Sequence, residues 1–459
     1  MNQDGGKLHE KDAEGESEVS ARGLPRLTRA PRERALLIQM VEESPDHAER
    51  LAGELRRLTT SAGLEPAATH LFPLAHIVPA TFLGKGRLQA LAAEARELGT
   101  GVVVFNNALS PVQQRNLERA LDAKVIDRTG LILNIFAARA RTREGRLQVE
   151  LAALLYEQSR LVRSWTHLER QRGGVGVRGG PGETQIELDR RQIRVRIQRL
   201  KKSLREVERT RALQRRERQD IPLFMVALVG YTNAGKSTLF NRLTAANVDA
   251  ADKLFATLDP TMRGVALPGG GQVILCDTVG FIRDLPHQLV AAFRATLEEV
   301  VRADLLLHVV DLSDPEWQGQ VEAVLAVLQE LEAHHKPMLT LYNKVDALPA
   351  GDGQGARLGE REASLVISAR TGAGLAALLD RLAAARTQAW REHRLLLPAS
   401  DGALLARLCR EGRVLTREEK GENIALTLSL PAAGCGRLRD VLARYADVIA
   451  SGEQGGDSL

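Results

Sequence analysis

Gly230-Tyr231-Thr232-Asn233-Ala234-Gly235-Lys236-Ser237-Thr238 follows the apolar run 225–229 and precedes helical spacing over 239–243. Strand, glycine loop and helix start, in that order, form a phosphate cradle. The loop bends so that its amide N–H groups point at phosphate oxygens at a helix N-terminus. Gly230 and Gly235 permit the backbone angles and the close approach. Lys236 is expected to reach the β- and γ-phosphates as a point charge, and the Ser237 hydroxyl to be a Mg²⁺ ligand. The competing reading is a chance glycine turn before a helix, which the spacing and the placing of Lys-Ser disfavour.

Three segments downstream complete the pattern in a fixed order. Asp277-Thr278-Val279-Gly280 ends a strand; by itself it is a weak signal, and its position after the loop gives it weight. The Asp277 carboxylate is expected to hold Mg²⁺ through a water, and the Gly280 amide to meet the γ-phosphate. Asn343-Lys344-Val-Asp346 decides the base. Guanine presents N1–H and N2–H₂ donors, which one carboxylate accepts together, and adenine has no such pair. Asn343 and Lys344 are expected to hold this loop and to pack on the base. Ser368-Ala369-Arg370 closes the base pocket, with the Ala369 amide facing guanine O6. The expected substrate is therefore GTP. Between loop and Asp277 lies Leu254-Phe-Ala-Thr257-Leu-Asp-Pro-Thr261, from which a threonine is expected to close over Mg²⁺ and γ-phosphate. Thr257 is favoured, with Thr261 the alternative. The catalytic set is thus Lys236, Thr257 and Gly280, and the metal set Ser237, Thr257 and Asp277. Phe281 stands where many related enzymes carry a water-orienting glutamine. A slow intrinsic rate, raised by a partner, is expected.

A chain of 459 residues is too long for one ordinary core, so about two to four domains are expected. Hydrophobic content of 44% and charged content of 26% are those of ordinary globular protein. Cys276, Cys409 and Cys435 have no metal-ligand spacing, and their odd number argues against a disulfide framework. A reducing, cytoplasmic setting fits. No apolar run is long enough to span a bilayer, and the first residues lack the order of a signal peptide. Integral membrane association is not expected; a weak peripheral contact is left open. The net charge is +5 and the pI near 9.2, but the basic residues cluster.

The chain divides by pattern. Residues 1–33 read as a disordered polar tail. Residues 34–145 alternate strands (35–41, 101–105, 124–126) with helices (48–58, 111–121), giving a small α/β domain. Residues 146–220 read as a helical, coiled-coil hairpin. Its first helix (148–169) aligns Leu151, Leu154, Leu155, Gln158 and Leu161. Its second (186–218) aligns Ile186, Ile193, Ile197, Leu200, Leu204 and Val207. The glycine-rich loop 173–182 joins them. From Arg190 to Arg218 there are 13 Lys/Arg against three Glu, an excess of one sign that suits an RNA partner better than a merely solvated face. Residues 221–394 read as a doubly wound domain with a largely parallel sheet, strands at 225–229, 273–276, 305–310, 338–342 and 364–367, and a closing helix at 375–390. Residues 395–459, with a strand at 424–430, read as a small C-terminal α/β domain. The fold class is thus α/β: a P-loop GTPase domain preceded by a small α/β domain and a helical hairpin, and followed by a small α/β domain.

With these residues in hand, the chain resembles HflX-type, translation-associated GTPases over nearly all of its length after residue 33. The likeness rests on the 254–261 window, on Asp277-Thr-Val-Gly-Phe-Ile-Arg-Asp-Leu-Pro286, and on segments that generic GTPases lack. These are Gly84-Lys-Gly86, Ser110-Pro-Val-Gln-Gln-Arg-Asn-Leu117, Asp127-Arg-Thr-Gly130, Arg141-Thr-Arg-Glu144 and Gly179-Gly-Pro-Gly-Glu-Thr184 followed by Asp189-Arg-Arg191. Two glycines precede Pro181 where the family commonly shows one. The resemblance implies binding to the large ribosomal subunit and its rRNA, GTP-dependent separation of stalled or idle ribosomes into subunits, and action as a monomer. Arg172 and Arg178 would accompany the loop into a narrow rRNA cavity. Asn233 resembles an asparagine that binds K⁺ in several GTPases of this class; the alternative reading is that it only shapes the loop. The competing readings are an ATP-dependent RNA remodeller acting through the N-terminal domain and a GTP-switched rRNA-binding module. No second phosphate loop precedes residue 145.

Overall fold

The computed structural model describes residues 33–41, 44–74, 77–171, 185–218, 224–245, 254–283, 297–348, 358, 363–431, 435 and 438–446; over 161–171 and parts of 185–218 it describes the helix but not the side chains. The expected tail up to residue 32, the glycine-rich loop 173–182 and the helix breaker Ile221-Pro222 lie outside the described residues.

The first sheet is parallel, in the order β2-β1-β3-β4. Its strands are β1 (Arg34–Val41), β2 (Glu65–Pro73), β3 (Val102–Phe105) and β4 (Lys124–Asp127). Residues 35–40 of β1 are all buried, as expected for an apolar run covered on both faces. Helices α1 (Pro45–Ser61), α2 (Lys85–Glu97), α3 (Pro111–Leu121) and α4 (Arg128–Arg139) pack around it. Their starts are written locally. Ser44 caps α1 by accepting from the His47 amide, with Pro45 following. Ser110 and Gln113 form a reciprocal capping box on α3. Asp127 caps α4 through the Gly130 amide. Strand β2 and helix α4 are additions to the sequence reading.

Helices α5 (Arg143–Gln171) and α6 (Gln185–Arg218) follow. They pack through Leu151 and Leu154 against Ile197, Leu200 and Leu204, with Leu147, Leu155 and Ile193 at the margin. The expected seam is therefore present at Ile193, Ile197, Leu200 and Leu204. Arg196 pairs with Glu150 across it at 2.5 Å.

The second sheet runs β10-β9-β8-β5-β7-β6. Its strands are β5 (Met225–Gly230), β6 (Thr261–Ala266), β7 (Gln272–Asp277), β8 (Leu305–Asp311), β9 (Met338–Asn343) and β10 (Ser364–Val366). All pair in parallel except β6, an antiparallel edge strand on β7. Helices α7 (Lys236–Thr244), α8 (Glu298–Arg302), α9 (Trp317–Glu330) and α10 (Leu375–Ala389) accompany it. Trp390, expected to end a helix, instead opens strand β11 (Trp390–Pro398). With β12 (Arg413–Lys420) and β13 (Asn423–Pro431) it makes an antiparallel sheet in the order β11-β13-β12. Helices α11 (Gly402–Glu411) and α12 (Arg439–Tyr445) lie on that sheet, which has its own core around Leu395, Leu397, Leu408 and Leu428.

Each of the first two sheets has a core of its own, around Ile38 and Phe105 in the first and around Leu228 and Phe240 in the second, and the two also share a third. One continuous core runs from Leu37, Leu131 and Phe136 to Val229, Phe255, Phe281 and Val300. No helix among the described residues is long and apolar enough to cross a membrane.

Candidate functional site

The glycine loop joins the buried end of β5 to α7, and its conformation needs its glycines. Gly235 has φ 97°, and a Cβ there would lie 2.3 Å from Asn343 Nδ2. A Cβ on Gly230 would lie 2.3 Å from the Val309 carbonyl oxygen. Asn233 is also left-handed, with φ 64°, a shape asparagine tolerates better than most residues. Lys236 bends back over the loop and donates to the carbonyls of Gly230 at 3.0 Å and Tyr231 at 2.7 Å. Burial lowers its ammonium from the usual range to about 8, against the opposing pull of Asp277.

Three oxygens converge beside it. The Ser237 hydroxyl donates to Asp277 Oδ2 at 2.8 Å, as does the Thr257 hydroxyl at 2.8 Å. Ser237 and Thr257 lie 2.9 Å apart. The other carboxylate oxygen, Asp277 Oδ1, is buried with no hydrogen-bond partner, and so is Thr232 Oγ1 in the loop. Burial raises the Asp277 pKa, opposed by Ser237, Lys236, Thr257 and the Thr278 amide. Of the two candidate threonines, Thr257 is the one in this cluster; Thr261 opens β6 opposite Asp277. Thr278 donates to the Leu228 carbonyl at 2.6 Å, tying the segment to β5. A cavity lined by Thr232, Asn233, Gly235, Lys236, Ser237 and Thr238 also takes in Phe255, Ala256, Thr257, Thr278 and Gly280.

Gly280 faces the loop: a Cβ there would meet Thr232 Cγ2 at 2.9 Å and Lys236 Nζ at 3.0 Å. Val279 is buried beside it. Phe281 follows with its ring 1% exposed in the core, so it presents no polar group to the cavity. Its backbone is stapled to the loop, Thr232 N–H to its carbonyl at 2.7 Å and its own N–H to the Gly230 carbonyl at 3.1 Å.

The segments expected to hold the base meet through Asn343. Its amide nitrogen donates to the Ala234 carbonyl at 2.8 Å, and its oxygen accepts from the Ala369 N–H at 2.9 Å. Ser368 donates to Asp346 Oδ1 at 2.6 Å and accepts from the Thr371 amide. Lys344, left-handed at φ 65°, pairs with Asp311 Oδ2 at 2.6 Å. Arg370 is exposed at the same edge.

Sequence reasoning missed several residues here. Asp311 ends β8 and fixes Lys344; its only signal was its place after an apolar run. Phe255, left-handed at φ 56°, packs edge-on against Phe136 of α4, with ring centroids 4.7 Å apart. Asp259 accepts from the amides of Arg141 and Thr142, each at 3.1 Å, and from the Thr142 hydroxyl at 2.5 Å. Glu54 of α1 reaches the loop by accepting from the Tyr231 hydroxyl, and Arg128 of α4 donates to Glu54.

Comparison with known proteins gives this geometry its family. Residues 49–137 match the model of a GTP-binding GTPase N-terminal region, 139–218 that of a GTP-binding GTPase middle region, and 225–344 that of a 50S ribosome-binding GTPase. The GTPase HflX of Magnetococcus marinus is 60% identical over 414 residues, covering 90% of this chain and 96% of that protein. This chain belongs to the HflX family of GTPases. The Escherichia coli HflX is 47% identical over 388 residues, covering 84% of this chain and 91% of its own length. Among solved structures, a GTP-binding protein from Sulfolobus solfataricus in complex with GDP matches at 25% identity and a TM-score of 0.43, over 78% of this chain and 99% of that one. As an HflX-family member the chain is a GTP hydrolase, and GTP is its substrate.

Proposed function

We propose that this chain binds the large ribosomal subunit and uses GTP to split stalled or idle ribosomes into subunits, with hydrolysis stimulated by the ribosome. The observation that carries this reading is the basic helix α6, joined to the nucleotide site by a short path. Arg194, Arg199, Lys201, Lys202, Arg205 and Arg209 are exposed along it. A predominantly basic surface of this kind, with Glu206 the one exposed acid among the described residues of that stretch, neutralises phosphates and releases their counterions. The path back to the nucleotide runs through α5, where Arg141 and Thr142, just before its first turn, hold Asp259, two residues after Thr257. The match of residues 225–344 to a 50S ribosome-binding GTPase model agrees.

At the site, Lys236 neutralises the β- and γ-phosphates and the Gly280 amide contacts the γ-phosphate. Asp346 accepts both guanine donors, while Asn343 ties base segment to phosphate loop. Ser237 Oγ, Thr257 Oγ1 and the unpartnered Asp277 Oδ1 form an all-oxygen set that fits Mg²⁺. Bound Mg²⁺ would offset charge on the β- and γ-phosphates. Phe281 cannot orient the attacking water, so the group that does so comes from the partner or from its effect on the site. The test is the GTP hydrolysis rate with and without purified 50S and 70S particles. A severalfold rise is expected with 50S, and an unchanged rate refutes the proposal. Shortening residues 173–182 is expected to spare GTP binding and to abolish subunit separation scored by sedimentation.

A further inference from the structure

We propose that Glu54 and Arg128, both outside the GTPase sheet, are positioning residues for GTP hydrolysis: with Tyr231 they clamp the backbone of Arg283 and so fix where Gly280 lies. The proposal rests on the reading of Gly280 as a γ-phosphate contact.

Tyr231 is the second residue of the phosphate loop, and its hydroxyl does two things. It donates to Glu54 Oε2 and accepts from the Arg283 N–H at 3.0 Å. Arg128 Nη2 donates to the Arg283 carbonyl at 3.1 Å and to Glu54 Oε1. Both backbone polar groups of Arg283 are therefore held, one through the loop's own tyrosine and one by a helix of the first sheet. Arg128 Nη1 is anchored in turn on Asn106 Oδ1 at 2.9 Å, and Asn106 on Gln39 of β1. Tyr231, Glu54 and Arg128 are 4%, 7% and 6% exposed, so water offers no substitute partners. Burial and the Glu54 carboxylate both push the Tyr231 phenol well up, which keeps its proton for donation.

The clamp lies close to Gly280 and little can stretch between them. Only Phe281 and Ile282 intervene, and each is 1% exposed. The Phe281 backbone is bonded on both sides to the loop. Displacing Arg283 therefore displaces the Gly280 amide relative to Thr232 and Lys236. That amide serves a phosphate which GTP has and GDP lacks. The clamp consequently acts on the GTP-bound state and on turnover, and has little to do with GDP.

The test uses the full chain with Glu54→Gln, which keeps size and an acceptor but removes the charge facing Arg128. The readouts are kcat, KM, and affinities for GDP and for a non-hydrolysable GTP analogue. The expected result is a fall in kcat of about tenfold or more and weaker analogue binding, with GDP affinity unchanged. Arg128→Lys keeps one donor and carries the same test where Glu54→Gln is insoluble; it is expected to retain part of kcat. Unchanged kcat and an unchanged analogue-to-GDP ratio overturn the proposal. Equal losses of GDP and analogue affinity overturn it too, since they mark a structural role only. Gly280→Ala separates the two readings. If it destroys kcat while Glu54→Gln does nothing, the clamp alone is wrong. If it leaves kcat unchanged, the reading of Gly280 is wrong.

Discussion

Lys236 and Asp277 are buried ionisable groups, and burial moves each toward its neutral form. Lys236 is the group whose titration falls within an accessible range, at about 8 against an ordinary 10.5. Between those values the unfolded chain binds more protons than the folded one, so the stability of nucleotide-free protein is expected to rise with pH across that window. Phosphate oxygens favour the charged ammonium. GTP binding is therefore expected to take up a proton, and affinity to fall as pH rises through about 8; calorimetry in buffers of different ionisation enthalpy reads both. Asp277 has the opposite sense: its raised pKa makes Mg²⁺ binding release protons, so Mg²⁺ affinity should weaken as pH falls. Asp346→Asn is expected to weaken GTP binding by about 3 kcal/mol and to favour xanthosine triphosphate, whose base carries a carbonyl where guanine has its amine. Competition binding with the two nucleotides checks this. These residues were legible because each lies in a contiguous run whose chemistry is complete in four to nine positions. Glu54 was not: it sits on α1 among Ala52, Leu55 and Leu58, and its partners lie 74 and 177 residues away.

At the scale of elements, legibility followed burial. Strands β1, β5 and β8, covered on both faces, are largely apolar runs, with Gln39 and His308 as their buried polar interruptions. Strand β12 reads Arg-Val-Leu-Thr-Arg-Glu-Glu-Lys and is mostly exposed, so its pairing with β13 has no hydrophobic signature of its own. Strand β6 is an antiparallel edge with a glycine at 264, and β2 carries prolines at 66 and 73; both fall below the signal that alternation gives. The α5–α6 seam was legible because its heptad spacing persists. Leu200, 7% exposed, is expected to cost about 2–5 kcal/mol when cut to alanine, lowering stability in urea while leaving GTP affinity intact. Gly235→Ala acts on two elements at once. Its φ of 97° disfavours any side chain, and the added methyl would strike Asn343. Loss of both GDP and GTP binding is expected in a filter or fluorescence assay, with the fold retained by circular dichroism.

Across the whole molecule, the shared core from Phe136 through Phe255 to Phe281 makes the first two sheets one cooperative body. The C-terminal sheet closes over a core of its own. Scanning calorimetry is expected to show two transitions, of which only the larger shifts upward with GDP, in proportion to the logarithm of nucleotide concentration. One joined transition, or a shift in both, would contradict that division. This fusion was not legible in the sequence, because Leu254, Phe255 and Leu258 read equally well as a loop's own packing. The grip of Asp259 on Thr142 and the Arg141 and Thr142 amides has a consequence for regulation. It places the origin of α5 and the threonine at the metal set on one short mechanical path. Linkage is reciprocal: if RNA held by the helices strengthens GTP binding by some factor, GTP strengthens that RNA binding by the same factor. Asp259→Ala is expected to bring both factors toward one without abolishing either ligand's binding, which titration of each ligand in the presence of the other measures.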